Sequence, residues 1–267
     1  MSGNFQIEAT DLSFSYHRPT VKALDGLSFS LREGSFVAVM GPNGSGKTTL
    51  LRLILGLLEP ESGNLEVLGQ RPWKNQYAVQ RLLGYVPQYG NVNDRLPVHV
   101  KDVVMQGLLT RRALPLSGHA IKNKTTSAID MVELSDLSDR PFGTLSGGQR
   151  QRTLIARALA VDPKILILDE PFAAVDIASQ QAIAALLNKL AHENGVTVIV
   201  VVHNVNVLVH YLDSILILDN RLVAYGAPRD VLKPDILKEA YKTDVPVIIC
   251  DDGYLHPILE AAHDEIH

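Results

Sequence analysis

Hydrophobic and polar positions follow two different periods along this chain. The first forty residues favour strands, with alternation that is loose over 7–16 and clean over 27–31. Further short strands are predicted at 64–68, 82–86, 214–218 and 222–225. Three apolar runs, at 36–40, 165–168 and 196–202, are continuous rather than alternating. Continuous runs are typical of parallel strands that are covered on both faces.

Between about residues 98 and 160 the period changes to that of a helix. Val100, Val104 and Leu108 share one face, as do Ile155 and Leu159. Helices are also predicted at 49–58 and 177–190. We therefore predict an α/β fold with a mostly parallel sheet and flanking helices, an N-terminal antiparallel β subdomain and a helical subdomain inserted at about 98–160. The boundaries expected are one domain over 1–246 and a tail over 247–267.

A glycine-rich loop lies between the strand at 36–40 and the helix that follows it. Glycines allow successive backbone N–H groups to curl around an anion, and a helix N-terminus adds a favourable dipole. Lys47 is expected to reach the β- and γ-phosphates of a nucleotide, and the Thr48 hydroxyl is expected to reach Mg²⁺. This spacing predicts a P-loop NTPase core. The predicted phosphate-binding residues are Gly41, Pro42, Asn43, Gly44, Ser45, Gly46, Lys47, Thr48 and Thr49.

The apolar run at 165–168 ends in two carboxylates, Asp169 and Glu170. At the period of two that a strand imposes, they are expected to point to different sides and can do different work. Asp169 can hold Mg²⁺, and Glu170 can polarise the water that attacks the γ-phosphate.

A second glycine turn, Leu145-Ser146-Gly147-Gly148-Gln149, opens another predicted helix over 149–160. Ser146 is a good N-cap, and the free amides of Gly147, Gly148 and Gln149 make a second anion site. The chain therefore either binds two anions, or this turn completes the site of another copy.

The order of these motifs identifies a resemblance. Gln88, the turn at 145–149, Asp169-Glu170 and His203 follow the P-loop in the order found in the nucleotide-binding subunits of ABC transporters, across almost the whole chain. The five-residue turn is highly specific for that family.

The resemblance implies roles for residues that composition and spacing leave open. Tyr16 is similar to the aromatic residue that stacks on adenine, although packing in the sheet would also explain it. Gln88 resembles the glutamine that senses Mg²⁺ and the attacking water, and His203 the histidine that contacts the γ-phosphate. Asp176 resembles the aspartate at the dimer interface. The chain departs from the family pattern at Asn204, where aspartate is usual, and at Ala173, where a hydroxyl residue is frequent.

The resemblance also implies partners and cofactors. ATP and Mg²⁺ are expected to bind between two copies of the chain arranged head to tail, each ATP lying between one P-loop and the other copy's 145–149 turn. Integral membrane permease subunits and, indirectly, a substrate-binding protein are the other expected partners. The expected location is the cytoplasmic face of the cell membrane.

Composition excludes several other classes of protein. The formal net charge of −4 gives no support for nucleic acid as a partner. A single cysteine, Cys250, excludes an internal disulfide framework and is expected to be a passive core residue. No secretory signal is visible, and no apolar run approaches the ~20 residues that cross a bilayer. Other chains are therefore expected to form the membrane path.

The resemblance is strongest to importers of manganese, zinc or iron. It rests on the segments 84–88, 96–104 and 220–226, which iron-siderophore and cobalamin importers carry in similar form. An exporter ATPase, or an ABC ATPase without a transport role, remains an alternative. The tail contributes a further set of polar residues. They predict either a metal-sensing tail or a solvated and frayed end, and the second is the simpler explanation. The set is His256, His263, Asp264, Glu265 and His267.

Overall fold

The computed structural model describes residues 5–17, 20–88, 98–109, 117–173 and 175–259. The strands, in chain order, are β1 (Phe5–His17), β2 (Thr20–Arg32), β3 (Phe36–Met40), β4 (Ser62–Val67), β5 (Leu83–Val86), β6 (Ile165–Asp169), β7 (Thr197–Val201), β8 (Ser214–Leu218), β9 (Leu222–Gly226), β10 (Val247–Ile249) and β11 (Leu255–Pro257). The helices are α1 (Lys47–Ile54), α2 (Gln76–Gln80), α3 (Val100–Leu109), α4 (Gly118–Met131), α5 (Gly147–Leu159), α6 (Ile177–His192), α7 (Pro228–Val231) and α8 (Pro234–Tyr241), with short 3₁₀ turns at Ser135–Leu137 and Phe142–Thr144.

The central sheet has the strand order β5-β6-β7-β3-β8-β9. Its strands are parallel except for β9, which pairs antiparallel with β8 at one edge. Because β5, β6, β7 and β3 are adjacent and parallel, the loops that leave their carboxyl ends meet at one edge of the sheet. Open α/β sheets bind their ligands at such an edge.

Both faces of this sheet are buried, as the continuous apolar runs predict. In β3, Phe36, Ala38 and Met40 belong to one hydrophobic core, whereas Val37 and Val39 belong to a second core on the opposite face. The second core also contains the apolar residues of α1. The P-loop helix is therefore held between the central sheet and the N-terminal strands.

The N-terminal strands form a separate antiparallel sheet in the order β2-β1-β4. β1 and β2 are each 13 residues long, which is longer than their alternation predicts. Register shifts interrupt their pairing, one of them between Ala9 and Leu12, where Asp11 has a positive φ of 49°. Such bulges break the period-two pattern without ending the strand.

On the first core's side of the sheet, α3, α4 and α5 pack against one another. The predicted fold class is confirmed: a mostly parallel sheet with flanking helices, an antiparallel sheet from the N-terminal segment and a helical segment between β5 and β6. Within the described ranges no helix is both long enough and apolar enough to cross a membrane.

The tail is more ordered than expected up to residue 259. β10 and β11 form an antiparallel hairpin, and Val247, Tyr254 and Leu255 pack against the first core. The expectation of a frayed end is therefore wrong for 247–259, because these apolar side chains pack against the first hydrophobic core. The expectation of a buried Cys250 is also wrong, since its thiol is exposed at the end of β10.

Of the polar tail residues, only His256 lies among the described residues, in β11. The others, His263, Asp264, Glu265 and His267, lie outside them. Across the described chain, histidine, cysteine and acidic side chains form no group of three or more arranged to hold a metal ion.

Candidate functional site

The glycine loop lies directly between β3 and α1, as predicted. Gly46 has a φ of 96°, and a Cβ atom there would lie 2.4 Å from the carbonyl oxygen of Ala23. Only glycine satisfies both conditions, so this position fixes how the loop enters α1. The Ser45 hydroxyl is buried and has no hydrogen-bond partner in the described structure.

Lys47 begins α1, and its side chain is almost completely buried at 7% exposure. Its Nζ donates to the carbonyl oxygens of Gly41 and Pro42, each at 2.8 Å. Burial lowers the pKa of Lys47, while Glu170 and Asp169 act in the opposite direction. The ammonium is thus already folded across the loop.

Asn220 is a site residue that the sequence analysis missed. It lies in the turn between β8 and β9, and its Nδ2 donates to the carbonyl oxygens of Lys22, Ala23 and Gly44, each at 3.2 Å. Its own backbone N–H donates to the carbonyl of Ser45 at 3.0 Å. Asn220 therefore ties the glycine loop to β2. In the sequence, Asn220 is recognisable only as an asparagine in a turn between two strands. That pattern does not indicate contact with the glycine loop.

Asp169 is the last residue of β6 and is 8% exposed. Burial raises the pKa of Asp169, as does the charge of Glu170, whereas a hydrogen bond from Tyr85 and the charges of Lys47 and Arg52 lower it. Thr48 lies one residue into α1 and is exposed. Burial and Glu170 outweigh Tyr85, Lys47 and Arg52, so the pKa of Asp169 lies above its ordinary value.

Glu170 is bound on both carboxylate oxygens. The Gln88 amide donates to Oε2 at 2.6 Å, and Nε2 of His203 lies 2.7 Å from Oε1. These side chains follow the carboxyl ends of β5, β6 and β7, so three separate strand ends converge on one carboxylate. The Glu170 side chain remains 21% exposed.

The backbone at Glu170 explains how it reaches this position. β6 ends at Asp169, and Glu170 has a positive φ of 48°, which is uncommon for a residue with a side chain. Strand alternation therefore does not extend to Glu170, contrary to the expectation. The charges of both carboxylates act to raise the pKa of Lys47.

Tyr16 contacts the helix that the glycine loop opens. Its hydroxyl lies 3.3 Å from Oγ1 of Thr49, and Arg52 donates to it at 3.3 Å. Its ring packs edge-on against Phe14 with centroids 5.0 Å apart. The residue is thus held beside α1, and packing accounts for part of its contacts.

The second glycine turn caps α5. Ser146 and Gln149 form a capping box: the Ser146 hydroxyl accepts from the Gln149 N–H at 3.3 Å, and the Gln149 side chain accepts from the Ser146 N–H at 3.0 Å. A Cβ atom at Gly148 would lie 2.3 Å from Oγ of Ser179, so α5 approaches α6 closely here. Asp176 caps α6 by accepting from the Ser179 N–H at 2.9 Å.

The structure thus brings the P-loop, Gln88, Asp169, Glu170 and His203 to one edge of the sheet. The turn at 145–149 is not joined to them, since within the described part of the chain no hydrogen bond or ion pair links that turn to the glycine loop. Between Ala173 and Asp176, Ala174 lies outside the described residues.

Comparison with known proteins agrees with this geometry. The model of the ABC transporter family matches residues 24–173. The chain is 37% identical over 238 residues to the manganese transport system ATP-binding protein MntB of Bacillus subtilis, covering 89% of this chain and 92% of that protein. It is also 37% identical over 238 residues to the zinc transport system ATP-binding protein TroB of Treponema pallidum, covering 89% and 87% of the two chains.

Two solved structures extend the similarity to the fold. One is an ABC transporter described as metal-chelate type, in an inward-facing conformation, with a TM-score of 0.80, 30% identity and coverage of 96% of this chain and 99% of that one. The other is a dimeric ATP-binding cassette in a post-hydrolysis state, bound to ADP and Pi, with a TM-score of 0.70, 30% identity and coverage of 83% and 98%. The chain therefore belongs to the ABC transporter family, as an ATP-binding, ATP-hydrolysing subunit homologous to manganese and zinc transport ATP-binding proteins.

Proposed function

We propose that this ATPase powers the import of a metal ion, with manganese, zinc or iron as the cargo class. The observation that carries the ATPase part is the convergence of Gln88, Glu170 and His203 beside a loop that buries Lys47. The cargo class rests on the similarity to manganese and zinc transport proteins over 89% of the chain.

The phosphates of ATP bind to the glycine loop in this proposal. Residues 41–49 other than Pro42 supply backbone N–H groups, and α1 adds its dipole. Lys47 exchanges its bonds to the Gly41 and Pro42 carbonyls for the β- and γ-phosphates. The buried, unpartnered hydroxyl of Ser45 is consistent with a loop built to surround a polar ligand. Tyr16, held beside α1, packs against the adenine.

Mg²⁺ fits the donor set at this edge. Asp169 offers carboxylate oxygens, and Thr48 and Gln88 offer hydroxyl and amide oxygens, which are the hard ligands that Mg²⁺ prefers. When bound, the ion neutralises charge on the β- and γ-phosphates.

Glu170 is the general base for hydrolysis. It accepts a proton from the water that attacks the γ-phosphorus, so the bond to the leaving ADP oxygen breaks as the new P–O bond forms. Each Glu170 oxygen is engaged by one side chain and keeps a further lone pair, so the water can bind to Glu170 beside Gln88 or His203.

Two copies of the chain close around ATP. In the turn of Ser146, Gly147, Gly148 and Gln149 the first two residues are exposed, and no hydrogen bond in the described part of the chain links the turn to its own P-loop. The turn is therefore suited to the γ-phosphate held by a second copy. Closure supplies N–H donors that one copy alone lacks, and loss of the γ-phosphate removes the shared ligand.

The remaining partners are integral membrane permease subunits and, through them, a substrate-binding protein. The proposed location is the cytoplasmic face of the membrane. The domain assignment behind this proposal is one ATPase domain over 1–246, with the helical part at about 98–160, and a tail from 247.

Reconstitution with the permease subunits and the binding protein tests the cargo. ATP hydrolysis in proteoliposomes is expected to rise at least about threefold when the binding protein carries Mn²⁺, Zn²⁺ or Fe²⁺, with uptake of the same ion. An iron-siderophore or cobalamin that stimulates instead would refute the cargo class. The Lys47→Ala variant is the control, because it removes the phosphate-binding ammonium and leaves the exposed surfaces intact.

A further inference from the structure

The stretch of chain between β7 and β8 has no secondary structure of its own. Residues 202–213 form neither helix nor strand, and His203 lies near their start. His203 and Asn204 are exposed, whereas Val202 before them and Val205 after them are buried. Regular backbone pairing therefore ends before His203, so its position depends on side-chain contacts.

A series of hydrogen bonds links His203 to the C-terminal hairpin. The side-chain oxygen of Asn204 accepts from the backbone N–H of Asn206 at 2.9 Å, which closes an Asx turn directly after His203. The Nδ2 of Asn206 donates to the carbonyl oxygen of Pro257 in β11 at 3.0 Å. Since Nε2 of His203 lies 2.7 Å from Oε1 of Glu170, the series runs from the hairpin to the proposed base.

The hairpin is itself held against the body of the protein. Val247, Tyr254 and Leu255 pack against the first core. Further along the stretch after β7, the ring of His210 lies 4.4 Å from that of Tyr254, and its Nδ1 lies 3.4 Å from the Asp252 carboxylate. The hairpin therefore offers the turn at 203–206 a fixed point of attachment.

Stability alone does not favour an asparagine at position 206. Its Nδ2 is bonded to Pro257, but its Oδ1 is buried and has no hydrogen-bond partner among the described residues. A buried acceptor without a donor costs free energy that an apolar side chain would avoid. The asparagine is therefore better explained by the turn that it holds in place.

We propose that Asn206 is a positioning residue for ATP hydrolysis, which ties the turn at 203–206 to the C-terminal hairpin and so holds His203 beside Glu170. This inference rests on the proposed function, in which His203 takes part in the ATPase site. It gives the hairpin at 247–257 a part in catalysis, although no residue of the hairpin reaches the nucleotide in this proposal.

The test is the Asn206→Ala variant, which removes the side-chain amide and keeps the backbone N–H that bonds to Asn204. We expect kcat for ATP hydrolysis to fall about 5- to 10-fold with KM for ATP within about twofold, because His203 is displaced while the glycine loop is untouched. Imidazole NMR, with the His203 signal assigned from its loss in His203→Gln, is expected to show that signal shifted or broadened. Asn188→Ala is the matched control, since it removes an asparagine that bonds to His192 within α6, and it should leave kcat and the His203 signal unchanged.

Unchanged kcat in Asn206→Ala overturns the inference, and so does a loss of kcat with an unperturbed His203 signal. Asn206→Asp removes the donor at constant size and should behave like Asn206→Ala; a normal kcat there refutes the role of the amide.

A double variant separates an effect through His203 from a general one. If Asn206 acts through His203, Asn206→Ala lowers kcat little further in the His203→Gln background, and a second fall of about fivefold refutes the inference. If His203→Gln alone leaves kcat unchanged, the proposed role of His203 fails and this inference fails with it. A slow His203→Gln beside a normal Asn206→Ala refutes the positioning role only.

Discussion

Replacing Glu170 by glutamine separates its chemistry from its place in the hydrogen-bond network. In the parent protein the Gln88 amide nitrogen lies 2.6 Å from one Glu170 oxygen, and Nε2 of His203 lies 2.7 Å from the other. Glutamine keeps an oxygen that accepts from Gln88 and places an NH₂ group beside His203. A neutral His203 can accept that hydrogen bond through Nε2, so the three side chains stay together. What is lost is the ability to take a proton from water.

Glu170→Gln is expected to lose the part of the rate enhancement that a general base contributes. Such groups contribute roughly 10²- to 10⁴-fold to the rate, or about 2.7 to 5.4 kcal/mol at 1.36 kcal/mol per tenfold. We therefore expect phosphate release by Glu170→Gln to be at least about 100-fold slower, with ATP affinity within about threefold. With ATP held and not cleaved, light scattering should show a species of about twice 29.2 kDa.

The control is Glu193→Gln, which makes the same change at an exposed residue that ends α6. It is expected to leave turnover unchanged. Turnover in Glu170→Gln within about tenfold of the parent would exclude Glu170 as the base. A variant that binds ATP, does not hydrolyse it and stays monomeric, both alone and with its permease, would refute the two-copy site.

Substitutions at two further residues test the glycine loop. Lys47→Ala removes an ammonium that bonds two loop carbonyls and faces the phosphates, so ATP affinity measured by fluorescence titration should fall at least about tenfold; unchanged affinity would contradict the P-loop assignment. Asn220→Ala loses hydrogen bonds to three carbonyls and keeps a strained φ of 54°, so the free energy of unfolding measured in urea should fall by about 2–3 kcal/mol. In Asn220→Gly this free energy should fall by about 1 kcal/mol less, because glycine relieves the backbone strain. Equal losses in the two variants would argue against this explanation.

The sequence predicted those parts of the site where local pattern and chemistry coincide. The apolar run of β3, the glycine loop and α1 follow one another without interruption, so local reasoning was sufficient to place Lys47 and Thr48 at the start of α1. Their roles with phosphate and Mg²⁺ stay predictions. The fold class followed from continuous apolar runs, because strands buried on both faces need no alternation. The tyrosine at position 16 was placed beside α1 by the fold, but its role with adenine stays a prediction.

What the sequence missed depends on contacts between distant segments. Asn220 reaches residues almost two hundred positions away, and Asn206 meets Pro257 only because the tail hairpin packs back onto the first core. Neither relation leaves a local pattern. The left-handed backbone at Glu170 was hidden for a related reason, since the N–H of Glu170 is held by the carbonyl of Val201 in a neighbouring strand. The tail hairpin was not predicted because its apolar residues are few, and they pack against the first core instead of forming a regular alternating pattern.

The tail hairpin lies against the stretch of chain that begins at His203. Asn206 donates to the carbonyl of Pro257 at 3.0 Å, and the ring of His210 lies 4.4 Å from that of Tyr254. A purification tag or reporter fused after the hairpin would therefore disturb its contacts with the segment that carries His203, and a truncation into the hairpin would remove them. ATPase rates measured on such proteins would reflect the altered C-terminus as well as the active site.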